Sequence, residues 1–106
     1  AGQAEMAKLA TALLDLAKEI PAEINWVLRV DGHTDNVQLS GAGRFADNWE
    51  LSSARATSVV KFLISKGVPA DRLVAAGFGE YQPIAPGESP EARAQNRRIE
   101  LKLTEK

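Results

Sequence analysis

Residues 24–36 read Ile24-Asn25-Trp26-Val27-Leu28-Arg29-Val30-Asp31-Gly32-His33-Thr34-Asp35-Asn36. Ile24, Trp26, Leu28 and Val30 alternate with Asn25, Val27, Arg29 and Asp31, the two-residue period of a half-buried strand. Gly32 is expected to end the strand. The polar tetrapeptide Gly32-His33-Thr34-Asp35 then sits at a strand's carboxyl end, where α/β sheets bind their ligands.

Upstream, residues 4–20 place Met6, Leu9, Ala10, Leu13, Leu16, Ala17 and Ile20 at helical spacing, with Glu5, Lys8, Asp15 and Lys18 between them. The pattern predicts an amphipathic helix closed by Pro21. Downstream, residues 33–48 read as a loop with Gly41 and Gly43 in its middle. A second helix is expected over 49–66, capped by Asp47 with Glu50 or by Asn48 alone. Its apolar residues are Leu51, Ala54, Val59, Val60, Phe62, Leu63 and Ile64, and Gly67 is a natural left-handed stop. Arg72 to Phe78 reads as a second strand and residues 79–90 as a loop. A short helix over 90–96 leads into a last strand carrying Ile99, Leu101 and Leu103. The order predicts an α/β two-layer sandwich, a single domain over 1–106 with two main helices and a short third on one face of a small mixed sheet.

Composition narrows the function. The chain has 106 residues, 44% hydrophobic and 25% charged, as expected for one globular domain. Thirteen Lys and Arg against fourteen Asp and Glu give a formal charge of −1, without the basic excess of a nucleic-acid binder. No apolar run approaches the roughly 18 residues of a membrane span. Residues 1–20 lack the pattern of a signal peptide, so the targeting segment of an exported parent would lie outside this stretch. Cysteine is absent, which removes disulfides, thiolate catalysis and cysteine-based zinc sites. The single histidine, His33, excludes any site that needs two.

Asp35 and Arg55 are the residues in position for chemistry. Arg55 lies within the first two turns of the second helix, the positive end of the macrodipole, where a cation calls for an anionic partner. That partner is Asp35 in a structural ion pair, or a ligand carboxylate gripped by the guanidinium fork. An acid and an arginine at one helix mouth suit a ligand bearing both an ammonium and a carboxylate. His33 with one nearby carboxylate supplies only two metal ligands, where catalytic zinc takes three, and is read as a hydrogen-bonded imidazole ordering the loop. Ser40, Ser52, Ser53 and Ser58 lack a nucleophile elbow. Trp26 belongs in the core. Trp49 is a pocket wall or core, and Phe45 a partner contact or a plug. Arg97 and Arg98 should point to opposite faces, so one at most reaches the site.

The run from Val30 to Glu100 resembles the OmpA-like peptidoglycan-binding domain. The matching pieces are Gly32-His33-Thr34-Asp35-Asn36, Asn48-Trp49-Glu50-Leu51-Ser52-Ser53-Ala54-Arg55-Ala56, Gly67-Val68-Pro69, Gly77-Phe78-Gly79-Glu80 and Asn96-Arg97-Arg98-Ile99-Glu100. The Asn-Trp-Glu-Leu-Ser form and the long 37–47 segment look more like flagellar stator MotB-type members than Pal-type lipoproteins. Family members usually open with a strand before the first helix, and that strand is missing from the reading here.

The resemblance implies non-catalytic binding of peptidoglycan in the periplasm, anchoring a membrane-attached parent to the wall. Asp35 would take the ammonium of the stem-peptide diaminopimelate and Arg55 its carboxylate. Thr34, Asn36, Asn48, Leu51 and Arg97 would be supporting contacts. No cofactor or metal is implied, and a homodimer is compatible. The alternatives are a hydrolase using His33 and Asp35, and an interaction domain docking another chain through its first helix or an open sheet edge.

Overall fold

The computed structural model describes residues 2–39 and 43–106. The elements run α1 (Gly2–Glu19), β1 (Trp26–His33), α2 (Asn48–Ser65), a 3-10 turn (Ala70–Arg72), β2 (Leu73–Gly77), α3 (Pro90–Asn96) and β3 (Arg98–Glu105). The sheet order is β2-β1-β3. β1 runs parallel to β2, Leu28 opposite Leu73, and antiparallel to β3, Asp31 opposite Glu100. This is the expected two-layer sandwich on a small mixed sheet. Among the described residues the sheet has three strands, with β2 and β3 at its edges.

One face of β1 carries Trp26, Leu28 and Val30 into a core with Ala10 from α1, Ala56 and Leu63 from α2, and Val68. Met6, Leu13, Ala17 and Ile20 pack on the same cluster, so α1 and α2 share a face of the sheet. Trp26 is core, as its alternation predicts, and Arg72 donates to its carbonyl at 2.8 Å while lying over its ring. Two expectations for β1 are corrected. The strand begins at Trp26 rather than Ile24, and it runs through Gly32 to His33 because β2 pairs with it as far as Gly32 and β3 as far as His33. It is also buried on both faces, since Val27, Asp31 and His33 are covered as well. A central strand has no solvent side where loops fold back over it.

Local signals set the ends of α2. Asp47 is the cap, its carboxylate accepting from Glu50 N at 2.9 Å, and Glu50 accepts from Ala46 N. The helix therefore starts one residue earlier than expected. It stops in a Schellman motif: Gly67, at φ +102°, donates to Ile64 O, and Val68 donates to Leu63 O and drops into the core. Ser89 caps α3 by accepting from Ala92 N.

Glycine sets the distance between α2 and the sheet. A Cβ on Gly32 would overlap the Ser52 carbonyl oxygen, and one on Gly77 would overlap the Ser53 hydroxyl. The amino-terminal half of α2 thus sits directly on the carboxyl ends of β1 and β2. That contact brings the start of α2 beside the loop after His33.

Candidate functional site

The loop after β1 is held from three sides. Thr34 is buried; its N–H donates to Gly79 O and its hydroxyl to Asp35 O, both at 2.9 Å. Asn48, the first residue of α2, is also buried and its amide nitrogen reaches Asp35 O, Val37 O and Glu80 Oε1 at 3.1–3.3 Å. Gln38 donates to the same Glu80 oxygen at 2.7 Å. Ser52 accepts from Gly79 N at 2.9 Å and donates to Trp49 O, fixing the 79–81 segment against α2. Asn36 accepts from Arg93 Nε of α3 at 3.1 Å.

Within this frame the Asp35 carboxylate is well defined. Oδ1 accepts from Val37 N at 3.0 Å, and Oδ2 accepts from Arg97 Nη1 at 2.7 Å. The Asp35 side chain is 13% exposed and that of Arg97 47%. Burial alone pushes the Asp35 carboxyl up, but the Arg97 hydrogen bond, the Val37 N–H and the charges of Arg97 and Arg93 outweigh it. The net effect holds Asp35 below the ordinary carboxylate value, charged at neutral pH. Arg98, two-fold out of phase, bonds Glu100, Gln82 O and Asn96 O on the other face. Only Arg97 of the two reaches this site, as strand alternation predicts.

Of the two partners open to Arg55, Asp35 is not the one it takes: no Asp35–Arg55 ion pair forms among the described residues. Arg97 takes the carboxylate because α3 ends beside the loop, whereas Arg55 sits two turns into α2, half-buried, with no ion pair among the described residues. Leu51 is half-buried and anchored by its N–H on Asp47 O. Trp49 is 50% exposed and stacks on Tyr81 at 5.0 Å, so it is a surface wall beside Asn48 rather than core. Phe45 is half-buried with Arg44 over its ring. Ser40 and Gly41 lie outside the described residues. His33 is corrected too. Because β1 continues through it, its ring turns to the sheet face away from the helices, and neither nitrogen has a hydrogen-bond partner among the described residues.

Arg93, Glu80 and Gln38 complete the site without having been singled out. Their partners lie 32 to 57 residues away in sequence, and no spacing rule reaches that far. Glu80 stood within the Gly77-Phe78-Gly79-Glu80 match, which was the one available pointer to it.

A family model described as the OmpA family matches residues 2–97. The uncharacterised protein YtxE of Bacillus subtilis is 36% identical over 105 residues, covering 94% of this chain and 41% of its own length. Peptidoglycan-binding protein ArfA of Mycobacterium tuberculosis is 39% identical over 72 residues, 68% of this chain and 21% of its own length. The crystal structure of the periplasmic domain of Helicobacter pylori MotB superposes with a TM-score of 0.80 at 30% identity, covering 97% of this chain and 61% of that one. The chain thus spans less than half of either sequence relative.

Proposed function

Since the chain belongs to the OmpA family, we propose that it binds peptidoglycan without catalysis, gripping the diaminopimelate of the stem peptide at the Asp35 loop. One observation carries the reading: a recessed, charged carboxylate, fixed by a backbone N–H on one oxygen, whose other oxygen holds a half-exposed guanidinium. The ligand ammonium displaces Arg97 from Oδ2. The freed guanidinium, together with Arg55, then meets the ligand carboxylate. Thr34, Asn36, Asn48 and Leu51 act by shaping the loop, since Thr34 and Asn48 bond its carbonyls and Asn36 ties it to Arg93 of α3.

The relative named for peptidoglycan binding supports the ligand class, and the MotB periplasmic domain supports a periplasmic setting. None of the helices described is long and apolar enough to cross a membrane. Tethering of a membrane-anchored envelope or motor parent to the wall follows as the role of the larger protein. Co-sedimentation with purified sacculi tests the reading. Wild type should pellet with the wall, and Asp35→Ala should stay in the supernatant at equal fold content.

The outer edge of β3 favours a second role that can coexist with the first. Leu103 and Ile24 are exposed there beside Ile20 and Trp26, around a cleft of about 260 Å³. An unpaired edge of this kind accepts another chain. A complex formed there, a homodimer included, should persist without wall fragments and in Asp35→Ala.

A further inference from the structure

The sheet face turned away from the helices carries a second cluster. Asp31 and Glu100 are direct cross-strand partners of β1 and β3, and His33 follows two residues on, on the same face. One ligand atom from each of the three lies within 4.8 Å of the others. They line a cavity of about 300 Å³ roofed by Gln82, Pro83 and Ile84. The sequence pairs His33 with Asp35; in the fold the carboxylates beside His33 are instead Asp31 and Glu100.

His33 is what points to a ligand. Its side chain is 5% exposed, yet both Nδ1 and Nε2 lack a hydrogen-bond partner among the described residues. Native structures rarely leave such a group unserved. The ring is held by stacking on Phe78 at 5.1 Å and 10°, and Nε2 lies 3.9 Å from Glu100 Oε2, beyond a hydrogen bond.

The cations around it are largely committed. Arg29 donates to both Asp31 oxygens, at 2.7 and 3.0 Å. Arg98 divides its donors among Glu100 and two carbonyls. Each carboxylate oxygen keeps a further lone pair. Lys102, 3.9 Å from Glu100 Oε1, is the loosest of the three.

We propose that Asp31, His33 and Glu100 bind a divalent transition-metal ion of the zinc type, clipping the end of β1 to β3. One imidazole and two carboxylates form a borderline donor set suited to zinc, and water from the cavity completes the coordination. Arg29 and Arg98 become outer-shell partners that orient the ligating carboxylates. Lys102 opposes the ion by competing for Glu100.

The chain's only histidine makes the test direct. Zinc is titrated into the chelator-treated chain, with the His33 ring protons followed by NMR and heat by calorimetry. One ion per chain should bind, the His33 resonances should move in step, and Glu100→Gln or Asp31→Asn should weaken binding about tenfold or more. Lys102→Gln should tighten it, and Asp35→Ala should leave it unchanged. Unmoved His33 resonances at saturating zinc would overturn the site and leave His33 served by water. So would binding that is equal in Glu100→Gln, which would mark an adventitious surface ion.

Discussion

The carboxylate of Asp35 and the guanidinium of Arg97 meet at 2.7 Å across 62 residues of sequence, joining the loop after β1 to the start of β3. The pair closes the candidate site on one side and keeps its acid ionised. It also presents a cation that a ligand ammonium must replace. The consequences below follow from this arrangement and from the frame around it.

The Asp35 pair makes stability depend on acid. The folded carboxyl titrates below its ordinary 3.8 because Arg97 and the Val37 N–H outweigh its burial. Its contribution is therefore complete above about pH 3.8 and lost as pH falls through the lower folded value. With Arg97 half-exposed and screened, the contribution is about 0.2–1 kcal/mol. Urea unfolding of wild type and Asp35→Asn should give curves a constant distance apart at neutral pH that converge in this acid interval. A constant gap down to the lowest pH would contradict it.

Asn48 pins the loop. Its buried amide serves the carbonyls of Asp35 and Val37 and the Glu80 carboxylate. Asn48→Ala strips all three and should cost about 1–3 kcal/mol in chemical denaturation. The amide of Val37 should exchange faster in hydrogen-exchange measurements, since the turn it closes on Asp35 loses its anchor. Unaltered Val37 protection would remove Asn48 from the account of the site.

The glycines of the sheet differ from those of the loop. Gly32→Ala forces a Cβ into the backbone of Ser52 and should lower stability by at least about 1–3 kcal/mol, with α2 pushed off the sheet. Gly43→Ala meets nothing within 4 Å and should stay within about 0.5 kcal/mol of wild type. Thermal unfolding of the two variants side by side checks both halves.

Much of this was legible in the sequence. Alternation in 26–31 and helical spacing in 4–20 follow from local periodicity, so the elements, their order and the core face of β1 could be read directly. Asp35 follows from its place in the loop after a strand and Arg97 from the family motif, and strand alternation separates Arg97 from Arg98. Three features were not legible. The partner of Asp35 depends on where α3 ends in space. The burial of both faces of β1 depends on the 79–89 loop folding beneath it. The meeting of His33 with Glu100 requires the β1–β3 register. Each is a long-range pairing, on which local propensity and spacing are silent.

Calorimetric titration of a meso-diaminopimelate stem peptide into wild type, Asp35→Ala and Arg55→Ala tests the wall-binding account most directly. The account predicts saturable binding to wild type that either substitution removes. Binding of equal strength in all three proteins would contradict it and move the ligand away from the Asp35 loop.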